Sequence, residues 1–165
     1  MIDAENLPYR KCVGIMLLNA RGQVWVGRRI PNWVTDASSL IWQMPQGGID
    51  AGETPEQAAW RELKEETSVS SARIVARIDD WLYYDLPKEV IGSALKGKYR
   101  GQKQKWFAMV LTGPESEINI VTGVGPAQEF DQWKWSDMDR LVDLVVPFKR
   151  DVYVQVVKKF KHLVP

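Results

Sequence analysis

Glu62, Glu65 and Glu66 lie three and four residues apart in Arg61-Glu62-Leu63-Lys64-Glu65-Glu66-Thr67. At the 3.6-residue period of a helix they project from one stripe. Three like charges on one stripe repel unless cations hold them. Ligands that offer only oxygen suit hard divalent ions, above all Mg²⁺, which is usually shared between protein carboxylates and substrate phosphates. The run Gly47-Gly48-Ile49-Asp50-Ala51-Gly52 leads into the same segment, and Gly-rich backbone at a helix start is what phosphate sites use. The chemistry expected is divalent-cation-dependent cleavage or transfer of phosphates. An ordinary solvated acidic face is the competing reading, and the neighbouring Gly loop weighs against it.

The elements that position these residues are legible locally. Thr54 is a good N-cap, Pro55 fits the first helical position and Gln57 completes a Thr-x-x-Gln capping box, so a helix is predicted from about Pro55 to Thr67. Ala59, Trp60 and Leu63 supply its apolar side. Val13 to Leu18 and Gln23 to Arg29 read as strands joined by the turn Asn19-Ala20-Arg21-Gly22. Further strands are expected at Arg73 to Asp79, Trp81 to Asp85, Lys103 to Thr112 and Phe130 to Trp135. Ser136 is a plausible N-cap for a short helix. Pro147 can open a last helix, in which Phe148, Val152, Val156 and Phe160 recur every fourth residue as a docking stripe. The class is mixed α/β with helices on either side of a sheet.

With 165 residues, 45% of them hydrophobic, the chain can bury one good core, and a single domain over 1–165 is expected. No run approaches the roughly twenty apolar residues of a membrane helix, so a cytoplasmic location is expected and a membrane is not. Cys12 is the only cysteine and His162 the only histidine. An internal disulfide is therefore impossible, and a His/Cys zinc site and Ser-His-Asp or Cys-His hydrolysis are disfavoured. Cys12, beside an apolar run, reads as core.

The run from Gly47 to Val69 resembles the Nudix box. Gly47, Glu53, Arg61, Glu62, Leu63, Glu65, Glu66 and Val69 fill fixed places of that pattern, and Ser68 stands where the family has Gly. A left-handed residue is needed there, at a cost of about 1 kcal/mol for Ser. The resemblance implies an α/β/α sandwich with a mixed β-sheet that hydrolyses nucleoside diphosphates linked to another group. It implies two or more Mg²⁺, with Mn²⁺ or Zn²⁺ as substitutes, on a metal set of Gly47, Glu62, Glu65, Glu66 and Glu129. It places Glu62, Glu65 and Glu66 in the catalytic machinery, with Arg61 and Glu53 paired to brace the loop and helix. Glu65, Glu66 and Glu129 are the candidates for the general base.

The likeness narrows outside the box. Tyr9-Arg10, Trp42-Gln43-Met44-Pro45-Gln46, Gly101-Gln102-Lys103-Gln104-Lys105-Trp106-Phe107, Glu129-Phe130 and Phe148-Lys149-Arg150-Asp151-Val152-Tyr153 are similar to the bacterial RNA pyrophosphohydrolases, and share vocabulary with dinucleoside polyphosphate hydrolases. The first likeness implies removal of pyrophosphate from 5′-triphosphate RNA, leaving a monophosphate end that exposes the transcript to decay. It places Arg10 and Gln102 near substrate phosphates, and Val146, Phe148 and Lys149 near a terminal base.

The net charge of +1 conceals a local asymmetry: Lys96, Lys98, Arg100, Lys103 and Lys105 fall within ten residues without one carboxylate. Such a cluster attracts polyanions, although a solvated loop explains it as well. Arg28 and Arg29 are further candidates for phosphates. The expected partners are RNA 5′ ends or dinucleoside polyphosphates rather than DNA, and no protein partner is indicated. Two other readings stay open: a catalytically silent module that binds nucleotides or RNA ends, and a housecleaning hydrolase for ADP-ribose or oxidised nucleotides.

Overall fold

The computed structural model describes residues 4–30, 42–91, 97–121 and 128–165. Lys96 of the basic run lies outside them. The apolar run Val13–Leu18 is buried at every residue, as expected of a strand covered on both faces. It belongs to β1 (Tyr9–Leu18), which starts four residues earlier than its apolar core because Tyr9, Arg10, Lys11 and Cys12 pair with a parallel neighbour, β6 (Gly101–Leu111). β5 (Ala72–Asp85) lies antiparallel on the far side of β6 and ends the sheet order. The two strands expected between Arg73 and Asp85 are one strand, interrupted by a bulge: Ile78 pairs with Trp106 and Leu82 with Gln104, so three residues oppose one.

On the other side β1 meets β2 (Val24–Arg29) only at Leu18 and Val24. The Asn19 turn closes the pair, with the Asn19 side-chain carbonyl accepting from the Arg21 and Gln23 amides at 3.0 and 2.9 Å. Beyond it the two strands fork. The fork is filled by β3 (Trp42–Gln43), paired to β2, and β4 (Gln46–Gly48), paired to β1. Pro45 between them has no amide to place, and its carbonyl accepts from Ile15 at 2.9 Å. β7 (Phe130–Ser136) covers the outer edge of β2.

Alternation along β1 sorts the core. Val13, Ile15 and Leu17 face α1 (Pro55–Thr67) with Ala58, Ala59, Leu63, Phe107 and Met109. Met16 and Leu18 face α3 (Arg150–Phe160) with Trp106, Val152, Tyr153, Val156 and Phe160. Helices thus cover both faces of a mixed sheet, the expected α/β/α sandwich. Pro147 opens a short 3-10 turn, Pro147–Lys149, that runs into α3. Phe148, the first residue of the expected stripe, lies in that turn and packs on Tyr84 with ring centroids 5.7 Å apart. Ser136 ends β7 instead of capping a helix. Its hydroxyl donates to the Asp137 carbonyl, and α2 (Leu141–Leu144) follows a 3-10 turn with no side-chain cap. No helix of the described residues is long and apolar enough to cross a membrane.

Gly14 is where β1 passes under the buried Trp106 ring: a Cβ there would lie 2.4 Å from Trp106 Cε2. Trp106 is wedged edge-on against Tyr153 and donates to Gln104 at 3.0 Å, so it has little room to shift. Gly14→Ala is expected to cost about 1–3 kcal/mol through overpacking, read as a lower urea midpoint at unchanged slope. A midpoint equal to that of the parent would show that the indole can move.

Candidate active site

The α1 start carries the expected capping box in full: Thr54 accepts from the Gln57 amide at 3.1 Å and Gln57 accepts from the Thr54 amide at 2.9 Å. At the other end Ser68 takes the left-handed conformation, φ 67°, while its amide donates to Lys64. Its hydroxyl donates to the Asn119 carbonyl at 2.8 Å, a bond the family's Gly could not make. This bond offsets the conformational cost of Ser at that place.

Between these caps the acidic stripe is organised by Arg61. Its guanidinium grips Glu53 with two bonds, Nε to Oε2 at 2.8 Å and Nη2 to Oε1 at 2.9 Å, and donates to the Gly48 carbonyl at 2.7 Å. The remaining nitrogen, Nη1, reaches Glu62 Oε1 at 2.7 Å and Glu65 Oε2 at 3.2 Å. Glu53 and Arg61 therefore brace the loop against the helix, as the resemblance implied. The Glu53 carboxyl is pulled down to about 2, chiefly by its bonds to Arg61.

The other carboxylates are under the opposite stress. Burial pushes Glu62 up to about 7, against the bond and charge of Arg61, with Glu65 and Glu129 adding repulsion. Glu66 is only 8% exposed and is raised well above the usual carboxylate range, first by burial and then by the charges of Glu62 and Glu129. One oxygen of Glu66 accepts from the Gln46 amide at 3.2 Å. Glu129 is exposed at the start of β7, where its carbonyl accepts from Ile30 at 3.0 Å. Its charge is felt at both Glu62 and Glu66, so the fold brings the distant residue to the stripe.

Gly47 sits against this group so closely that a Cβ would lie 2.0 Å from Glu62 Cδ. Among the described residues no three acidic, His or Cys side chains form a closed metal cage. Arg61 draws Glu62 and Glu65 to itself. A donor set made only of oxygens, with the ionised forms of the buried Glu66 and the partly buried Glu62 penalised, fits a hard divalent cation, which would remove that penalty.

A largely buried polar cluster lies on the α3 side of the sheet. Arg10 and Gln102 are register partners on β1 and β6, and the Arg10 guanidinium lies against Gly48. Gln102 accepts from Gln104, which also donates to Gln46 at 3.3 Å and accepts from Trp106. Lys149 is buried, donating to Gln43 at 3.1 Å with its ammonium 5.8 Å from the Tyr84 ring centre. Arg29 is buried nearby, its charge acting on Tyr84 and Tyr153. Phe148 stacks on Tyr84, and Val146 packs against the same cluster.

The fold thus gathers Arg10, Arg29, Gln102, Val146, Phe148 and Lys149. Arg28 points elsewhere, paired with Asp131 by two bonds at 2.8 and 2.9 Å on the exposed side of β2 and β7. Lys103 and Lys105 alternate away from Gln102 and Gln104, onto the opposite face of β6. Gln43, Gln46, Gln104, Tyr84 and Tyr153 escaped the sequence reading. The alternation Gln102-Lys103-Gln104-Lys105 was the available signal, since period 2 must place glutamines and lysines on opposite faces. Cys12 is fully buried and its thiol is pushed up to about 12 by burial, which rules out a nucleophile.

The two classes of carboxyl predict a pH dependence in metal-free protein. Glu62 is ordinarily near 4.5 and stands near 7 when folded. Its ionisation therefore destabilises the fold progressively as pH rises through that window. Glu53 runs the other way, contributing stability above about 4.5 that is lost as pH falls toward about 2. The melting temperature measured in chelator should fall between about pH 5 and pH 8 for the parent relative to Glu62→Gln, and Mg²⁺ should close the gap. Parallel profiles in chelator would contradict the buried, repelled state of Glu62.

A model of the NUDIX domain matches residues 8–156. The chain is 56% identical over 165 residues to the RNA pyrophosphohydrolase of Agrobacterium fabrum, covering 98% of this chain and 97% of that protein. Its fold is similar to that of a MutT protein from Methanosarcina mazei, with a TM-score of 0.66 at 16% identity, covering 94% of this chain and 98% of the other. It is also similar to an Ap4A hydrolase from C. elegans, with a TM-score of 0.63 at 18% identity, covering 93% and 98%.

Proposed function

We propose, on the premise that this chain belongs to the NUDIX domain family, that it is an RNA pyrophosphohydrolase converting 5′-triphosphate RNA ends to 5′-monophosphates. The observation that carries this reading is 56% identity, over nearly the whole of both chains, to a protein of that activity. The arrangement of the site supports it: Arg10, Arg29, Gln102 and Lys149 are gathered on the α3 side of the sheet, and Gln46 links this polar cluster to Glu66 of the acidic stripe.

Glu62, Glu65, Glu66 and Glu129, with the Gly47 carbonyl, would hold two or more Mg²⁺. When bound, the ions neutralise charge along the polyphosphate and acidify the attacking water. The remaining work falls to the chain. Arg10 and Gln102 orient the phosphates, Lys149 and Arg29 add positive charge at the buried end, and Phe148 on Tyr84 offers an aromatic face to the terminal base. Water attacks a phosphorus in line, and one carboxylate among Glu65, Glu66 and Glu129 takes its proton. The phosphoanhydride bond breaks, pyrophosphate leaves with the bond's electron pair, and the monophosphate end remains on the RNA. Residues 1–165 act as one domain in this scheme, in the cytoplasm, where newly made transcripts carry triphosphate ends.

The test is kcat/KM for a 5′-triphosphate RNA against diadenosine tetraphosphate, ADP-ribose and oxidised nucleotides on one preparation. RNA should be preferred, with a monophosphate product. A strong preference for diadenosine tetraphosphate, yielding ATP and AMP, would instead make the enzyme a dinucleoside polyphosphate hydrolase acting through the same carboxylates. Glu65→Gln or Glu66→Gln should lower kcat by about 10²–10⁴-fold while leaving the melting temperature equal or higher. Full turnover in both variants would remove the proposed metal and base assignments.

A further inference from the structure

Lys103 and Lys105 lie on the face of β6 opposite the Gln102 and Gln104 cluster, and they are not alone there. Lys11, Lys103 and Tyr83 are register partners across β1, β6 and β5, so their side chains stand in one row. Tyr9 packs edge-on against Tyr83 with ring centroids 5.0 Å apart. The ammonium groups of Lys103 and Lys105 each lie 4.9 Å from the centre of the Trp81 ring. Lys105 also donates to the Asp79 carbonyl. Cation–π contacts of this kind hold a charge in place without neutralising it. Tyr83 is 49% exposed, an unusual position for a large aromatic. Among the described residues, the ion pairs on this face, Arg100 with Asp85 and Arg77 with Glu56, do not involve the three lysines. Asp79 and Asp80 are confined to the bulge of β5.

The strip and the polar cluster lie on opposite faces of β5 and β6. Tyr84, which contacts Phe148 and Lys149 in that cluster, is the residue next to Tyr83, and β5 ends the sheet order among the described residues. A chain passing from the cluster around the β5 edge reaches the aromatic and basic row. Alternating aromatic faces and fixed cations are what a single-stranded nucleic acid uses, bases on the rings and phosphates on the ammonium groups.

We propose that Tyr9, Lys11, Trp81, Tyr83, Lys103 and Lys105 form a track for the single-stranded RNA that follows the triphosphate end. The proposal rests on the pyrophosphohydrolase reading for the direction of the strand, and gives the lysines a role in holding the transcript rather than its triphosphate. It implies that the enzyme discriminates a transcript from a free nucleotide by contacts outside the polar cluster of Arg10, Gln102 and Lys149.

The test uses the full chain and a fluorescent 5′-hydroxyl single-stranded RNA a dozen nucleotides long, which has no phosphates to offer the metals. The variant Lys11→Gln/Lys103→Gln/Tyr83→Ala should bind it about tenfold more weakly by anisotropy, with the slope of log affinity against log salt reduced by about 1.4, the share of two phosphate contacts on a single strand. Lys11→Arg/Lys103→Arg should restore affinity and slope, which separates lost charge from a disturbed fold. Turnover of a 5′-triphosphate dinucleotide, too short to reach the track, should be equal in parent and variant. Equal affinity and slope in parent and triple variant would overturn the proposal and leave this face to a protein partner. A matching loss of dinucleotide turnover would also overturn it, because the lysines would then serve the triphosphate. If the parent binds the long RNA through this face yet leaves every triphosphate RNA intact, the track stands and the pyrophosphohydrolase reading falls.

Discussion

One guanidinium organises the acidic stripe. Arg61 satisfies Glu53 on one side, the Gly48 carbonyl on another, and Glu62 and Glu65 through its remaining nitrogen. All its partners lie on the loop or on the helix that follows, so a single side chain fixes their relative placement. Charge-assisted, bidentate bonds of this type carry directional information as well as energy. Lys could not replace it, since one ammonium cannot span two carboxylate oxygens and a carbonyl in that fork. The same residue also limits the site. Two of the acids point toward Arg61, leaving Glu66 and Glu129 to contribute repulsion, and the stripe remains electrostatically incomplete without divalent charge.

Incompleteness is the useful property. A carboxylate near 7, like Glu62, or buried, like Glu66, stores free energy that binding can release. The fold keeps these groups in place by means that do not depend on their charge. The missing Cβ of Gly47 lets backbone and Glu62 meet, the capping box sets where α1 begins, and Ser68 sets where it ends. The apolar side of α1, Ala58, Ala59 and Leu63, packs against Val13, Ile15 and Leu17 on β1, and this contact absorbs the strain that the acidic side creates.

Features encoded by neighbours in the chain were legible, and features encoded by packing were less so. α1 runs from Pro55 to Thr67 as its caps and formers require, and Arg61, Glu62, Glu65 and Glu66 share one side because the motif's spacing is a helix's spacing, while Glu53 joins them from the preceding loop through its bonds to Arg61. Strand limits were blurrier. Tyr9 to Cys12 carry no continuous apolar signal, and only pairing to β6 makes them strand. The bulge at Asp79 and Asp80 looked like a break between two strands because a local pattern cannot show that both halves share one partner. Arg28 and Arg29 are adjacent and looked alike, yet strand alternation sends one to Asp131 at the surface and the other to the buried polar cluster near Tyr84 and Tyr153. Gln43, Gln46 and Gln104 are uncharged and unremarkable in composition. Their roles arise from contacts across 58 and 106 positions of the chain.

Those long-range contacts tie two parts of the molecule together. Lys149 holds Gln43, and the Tyr153 hydroxyl accepts from the Met44 amide at 2.8 Å, so α3 and the turn before it grip β3 and the segment that leads to β4. β4 in turn supplies Gln46, whose amide holds Glu66 and whose side chain meets Gln104 and, through it, Gln102. The polar cluster at Gln102 and Lys149 and the acidic stripe at Glu66 therefore meet on one short segment. Pro45, at its centre, is pinned to β1 by the bond from Ile15 to its carbonyl. The placement of the cluster against the carboxylates is thus set by hydrogen bonds in a buried, low-dielectric layer.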